Sequence, residues 1–264
     1  MYPVNNGGEG QMVRTGLLVA LLGQSLLLIL LRATVGLSGA GWVVGTTVGV
    51  ATNALLVRGL TRSGATELGA ANRVTLARAT LVGGIAALVA QVLIDTALGN
   101  GASVHSAQVI AIVALSTVAL LLDAVDGRVA RRTGTVSRLG ARFDMEVDAF
   151  LILVLSGYVA TRVGGWVLAI GLARYAFVGA GLFWPWLREA SPARHWCKVV
   201  AALQGIVLTI AVAEVLPEVV GATLLAVSLA LLAESFGRET WGLWRSHRPS
   251  DTAESGRPEL TGVR

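Results

Sequence analysis

Eight apolar runs, each long enough or nearly long enough to cross a bilayer, leave this chain few ways to fold. They fall at about 15–32, 38–57, 73–97, 107–126, 143–163, 165–187, 197–215 and 218–237 of the 264 residues. A spanning helix needs roughly 20 mostly apolar residues, and a barrel strand only about half that number. Inside lipid every backbone amide and carbonyl must be satisfied within the protein, so runs of this length and Leu, Val and Ala content predict helices. With 54% hydrophobic and 14% charged residues, the expectation is an all-α integral membrane protein.

Basic residues set the expected orientation, because loops facing the cytosol carry an excess of Lys and Arg. Arg58 and Arg62 precede the third run and Arg73 and Arg78 stand at its start, and Arg128, Arg131, Arg132, Arg138 and Arg142 follow the fourth. Arg188, Arg194 and Lys198 lie between the sixth and seventh, and Arg238, Arg245 and Arg248 follow the eighth. All of these fall on one side if both termini are cytosolic. The other side carries Asp95, Glu214 and Glu218, with Arg32 and Arg162 as exceptions. A formal charge of +5 could suggest nucleic acid. The basic residues follow loop sidedness, however, and are not interleaved with exposed aromatics, so anionic lipid headgroups are the expected partner and nucleic acid is not. One cysteine, Cys197, excludes an internal disulfide and a cysteine metal cluster.

The chemistry concentrates in residues 123–148, DAVDGRVARRTGTVSRLGARFDMEVD. Asp123 and Asp126 lie one helical turn apart where an apolar run enters the polar phase, and Asp144 and Asp148 repeat that spacing on the next helix. Four carboxylates gathered where two helices meet would repel one another unless cations were present. Two divalent ions would balance them, and hard oxygen ligands of this kind suit Mg²⁺, Mn²⁺ or Ca²⁺, with Mg²⁺ typically coupling carboxylates to substrate phosphates. A pyrophosphate-bearing substrate is the natural partner. Gly127, Ala130 and Gly140 leave room for a nucleotide to approach the backbone, and Arg131 offers a planar cation for bidentate phosphate contact. Taken singly, each of these residues is better explained by packing, capping or interfacial anchoring. Together they form one constellation.

That set follows the pattern D-x2-D-G-x2-A-R-x8-G-x3-D-x3-D at every fixed position. The chain therefore resembles the CDP-alcohol phosphatidyltransferase family. A second segment, NRVTLAR, with Asn72, Thr75 and Arg78 on one helical face, is similar to the stretch that opens the first core helix in many members. An N-cap at Asn72 and a snorkelling Arg78 would explain it without any ligand.

The resemblance implies a core of six transmembrane helices, a homodimer, and transfer of a substituted phosphate from a CDP-alcohol, commonly CDP-diacylglycerol, to an alcohol acceptor with release of CMP. It implies Mg²⁺ or Mn²⁺, two ions, on Asp123, Asp126, Asp144 and Asp148, with Asp148 as general base. It places Asn72 and Thr75 near the nucleotide and Arg78 near the site. The active site would face the cytosol from the cell membrane.

The expected organisation is then a loose polar segment 1–13, a transmembrane hairpin 14–58, a linker or interfacial helix 59–71, the six-helix core 72–245 and a disordered tail 246–264. The hairpin lies outside the family resemblance and carries no acidic ligand, so it is expected to be dispensable for chemistry.

For the acceptor, Arg174 stands inside the sixth run, where an unpaired charge is costly. Arg194 and Lys198 stand at the mouth of the seventh, where snorkelling explains them equally well. In relatives with phosphorylated acceptors, basic residues of these regions bind the phosphate, and an Arg174 without an anionic partner favours a polyol phosphate over a neutral amino alcohol. Against this, Asp148 is followed by Ala149 and Phe150, where the glycerol-phosphate and inositol-phosphate subfamilies commonly carry a basic residue. A transporter using the carboxylates as a cation site, and a catalytically silent scaffold, remain as alternatives.

Overall fold

The computed structural model describes residues 6–63, 70–99, 106–133, 138–184 and 195–247, with side chains described for 16, 18–59, 74–99, 106–125, 140–184 and 199–245. Eight α-helices make up almost all of it: α1 (Asn6–Val35), α2 (Gly39–Ser63), α3 (Ala70–Ala97), α4 (Ser106–Thr133), α5 (Arg138–Val163), α6 (Leu168–Phe183), α7 (His195–Val212) and α8 (Glu218–His247). A 3-10 turn (Gly165–Val167) joins α5 to α6. No strand occurs among the described residues.

Each apolar run lies largely on one helix; α1 to α5 and α8 are longer than their runs, whereas α6 and α7 are shorter than theirs. Hydropathy marks the part that meets lipid, whereas a helix continues into the interface as long as its backbone bonds are satisfied. Thus α1 begins at Asn6, inside the segment expected to be loose, and α2 runs on to Ser63, inside the expected linker. The linker's last two residues, Ala70 and Ala71, open α3, while 64–69 and the tail beyond His247 lie outside the described residues. Among the described residues six helices are long and apolar enough to span: α1, α2, α3, α4, α6 with the 3-10 turn before it, and α8. Six of the eight expected spans meet that measure among the described residues. In α5 the first half carries Asp144, Glu146 and Asp148, and the described apolar stretch of α7 is the short Val199–Val212. The chain is a multi-pass membrane protein.

One helix sits at the centre. α3 packs against α1, α2, α4 and α5, and 61% of its apolar span is buried, against 22–28% for the spans of α1, α2, α4, α6 and α8. Outside it, α6 lies on α5, and α7 bridges α4, α5 and α8. The outer faces are what lipid requires. Leu18, Leu22, Leu26 and Ile29 form an exposed stripe at helical spacing along α1.

Close helix approach in a membrane depends on small residues, since lipid supplies no hydrophobic drive between helices. Gly171 of α6 presses on the α5 backbone, where a side chain's first carbon would lie 2.6 Å from the Leu153 Cα. Gly83 and Gly84 of α3 receive Gln24 and Leu27 of α1 at similarly close range. The N-terminal hairpin is thus packed into the bundle and covers the helix that leads to the polar residues described next.

Candidate active site

Three helix ends converge at the polar face of the bundle. α4 delivers Asp123 at the close of its apolar stretch, and α5 delivers Asp144 and Asp148 one turn apart. α3, packed between both helices, delivers Arg78 beneath them. The Arg78 guanidinium is 1% exposed, whereas the three carboxylates keep about a third of their exposure, at 35%, 32% and 35%. Its Nη1 lies 2.9 Å from Asp123 Oδ1, and it also donates through Nη1 to Asp144 and through Nη2 to Asp148.

Charge counting shows what this arrangement can do. Three carboxylates and one guanidinium leave a net charge of −2 among the described side chains. Unit charges about 4 Å apart interact by roughly 4 kcal/mol at an effective dielectric of 20. Arg78 therefore offsets the repulsion among the three aspartates but does not neutralise them. The donor set fits a divalent ion: one oxygen from each of Asp123, Asp144 and Asp148 can be drawn within 4.8 Å of the others, and all are the hard oxygens that Mg²⁺ and Mn²⁺ prefer.

Of the other expected site residues, Thr75 is buried on α3, one turn before Arg78. Gly140 lies in the first turn of α5, where the 140, 144, 148 spacing puts it on the carboxylate face. Asp126, Gly127, Ala130 and Arg131 are on the helical backbone of α4, and Asn72 and Lys198 on α3 and α7. The side chains of these six lie outside the described residues, as does the whole of Arg194. Two of the cavities among the described residues, of about 330 and 320 Å³, are lined by other residues than the aspartates.

The structure corrects the reading of Arg174. Far from lacking an anionic partner, its Nη2 lies 2.6 Å from Glu146 Oε1. Glu146 is two residues from both Asp144 and Asp148, so at 100° per residue it projects from the opposite side of α5, towards α6. Spacing alone puts Glu146 on that face, but its partner follows only from the packing of α6 on α5. The family resemblance put Arg78 only near the site. A basic residue at the start of the most buried apolar helix, facing a four-aspartate motif, was the available signal for a more central position.

Comparison with known proteins agrees with the geometry. No curated protein and no solved structure matches the chain. The family model for CDP-alcohol phosphatidyltransferase matches residues 68–233, well over half the chain, and that stretch holds Arg78 and all four motif aspartates. The chain belongs to the CDP-alcohol phosphatidyltransferase family.

Proposed function

We propose that this protein transfers a phosphatidyl group from CDP-diacylglycerol to the hydroxyl of an alcohol acceptor and releases CMP, at a site facing the cytosol. Family membership supports CDP-alcohol phosphatidyltransferase activity in general. The observation that carries the reading to these residues is the convergence of Asp123, Asp144 and Asp148 on Arg78.

Asp123, Asp126, Asp144 and Asp148 would hold two Mg²⁺ or Mn²⁺ ions, which supply charge neutralisation and electrophilic activation to a pyrophosphate. Asp148 accepts the proton of the acceptor hydroxyl as its oxygen forms a bond to phosphorus, and the bond from phosphorus to the CMP oxygen breaks. Gly127, Ala130 and Gly140 leave space for the nucleotide, Arg131 takes a phosphate, and Asn72 and Thr75 flank the cytidine. Arg78 holds the carboxylates in register from below. The donor's acyl chains stay in lipid while its headgroup reacts at the interface.

With Glu146 beside it, Arg174 no longer calls for a phosphate, so the charge argument for a phosphorylated acceptor falls away. Nothing in the geometry favours the cation-transport alternative. The test is purified protein given CDP-diacylglycerol and Mg²⁺ with a panel of neutral, amino and phosphorylated alcohols. Magnesium-dependent CMP release with one acceptor class is expected, and no release with any acceptor would refute the assignment.

A further inference from the structure

The end of the bundle away from the aspartates holds a second polar site. Fourteen residues separate Asp148 from Arg162 on α5, about 21 Å at 1.5 Å per residue, so the two sites lie at opposite membrane faces. There, a cavity of about 330 Å³ opens between α5, α7 and α8, within the usual size range of small-molecule pockets. Arg162, Glu214 and Glu218 give it a polar rim, and Val207, Ile210 and Leu225 an apolar wall.

The rim is built rather than incidental. Arg162 Nε pairs with Glu214 Oε1 at 3.1 Å, and its guanidinium lies 5.7 Å from the centre of the Tyr158 ring. Tyr158 is fully buried and donates its hydroxyl to the same Glu214 oxygen at 3.4 Å. Glu214 follows the end of α7 with a φ of 52°, the left-handed conformation that glycine or asparagine adopts most readily at a helix end. Glutamate there trades backbone ease for a carboxylate on the rim. Glu218, the first residue of α8, has no ion pair among the described residues.

The charges select the ligand. One guanidinium and two carboxylates give the rim a net charge of −1, which repels a purely anionic lipid. A headgroup with a phosphate for the Arg162 amino groups and an ammonium for Glu218 matches both signs. The apolar wall continues into the bilayer beside it. We propose that this cavity binds the headgroup of a zwitterionic phospholipid carrying a primary ammonium, drawn from the leaflet opposite the aspartate site.

The test uses the full-length protein in detergent, titrated with short-chain phosphatidylethanolamine, phosphatidylcholine or phosphatidylglycerol, and with water-soluble glycerophosphoethanolamine. Binding is read by native mass spectrometry. Phosphatidylethanolamine should bind most tightly, because a trimethylated nitrogen has no N–H to donate to a carboxylate. Its affinity should fall about tenfold in both Arg162→Gln and Glu218→Gln, a loss of about 1.4 kcal/mol. Ala222→Leu should lower it too, by filling the cavity without touching a charge. If Arg162→Gln lowers the melting temperature of lipid-free protein, Glu218→Gln decides in its place, since that side chain has no ion pair among the described residues to lose. Equal binding of the three lipids, or unchanged affinity in Glu218→Gln and Ala222→Leu, would overturn the proposal. So would the soluble headgroup binding as tightly as the lipid.

Discussion

Arg78 and Arg174 are both guanidinium groups on apolar helices, and both meet carboxylates carried by α5, yet they do so from opposite sides of that helix. Arg78 is 1% exposed and faces three aspartates. Arg174 is 31% exposed and faces one glutamate. The first group keeps an excess of negative charge that a divalent ion can take up, whereas the second is balanced in charge. Burial of an arginine in a membrane helix is therefore no guide to a ligand until its partners have been counted.

The contrast is sharpest in turnover. Asp123→Ala or Asp144→Ala should lower CMP release by at least ~10²-fold, the scale seen when one group that stabilises transition-state charge is removed. Asp148→Asn should be as inactive yet still bind CDP-diacylglycerol, since it keeps size and loses only the basic oxygen. Wild-type rates in Asp148→Asn would remove Asp148 from the proton transfer.

Stability should separate the two arginines next. Arg78→Ala removes the guanidinium shared by three aspartates and should cost about 3 kcal/mol, the low end for breaking a buried pair because the carboxylates stay partly solvated. Added Mg²⁺ should restore part of that loss in thermal melts, and an unchanged melting temperature would mean that Arg78 does not balance the cluster. At the half-exposed pair, a double-mutant cycle over Arg174→Gln and Glu146→Gln should give only about 0.5 kcal/mol, with CMP release within threefold of wild type. A large rise in acceptor KM in Arg174→Gln, absent from Glu146→Gln, would return Arg174 to the acceptor site.

The hairpin lies between these extremes. Gly84→Leu would drive a side chain into Leu27 and Leu31 of α1 and should cost about 1–3 kcal/mol, as overpacking does. A chain beginning at Glu67 should still insert but melt lower, because the α3 face beneath α1 and α2 is uncovered. Equal melting with and without the hairpin would show that its packing on α3 contributes nothing.

Apolar run length was enough to place all eight helices, and the fixed spacing of Asp123, Asp144 and Asp148 was enough to expect a carboxylate cluster, because both are local properties of the chain. The pairings were harder to read, since each depends on which helix faces which. Arg78 reaches partners 45 to 70 residues away only because α3 lies between α4 and α5. Glu146 could be put on the far face of α5 from its i+2 position, but its partner followed only once α6 was seen to pack there. The same holds for Arg162, an exception to the charge asymmetry of the loops until Glu214 is found 3.1 Å away. Of the other exception, Arg32, the structure shows a hydrogen bond to the Leu37 carbonyl at 3.3 Å.

The most direct test of the central claim is Mn²⁺ binding, followed by electron paramagnetic resonance, in wild type, Asp144→Ala and Glu146→Gln. Saturable binding in wild type and Glu146→Gln, with loss in Asp144→Ala, is the expected result. Equal affinity in all three proteins would contradict the assignment of the metal to the Arg78 face of α5.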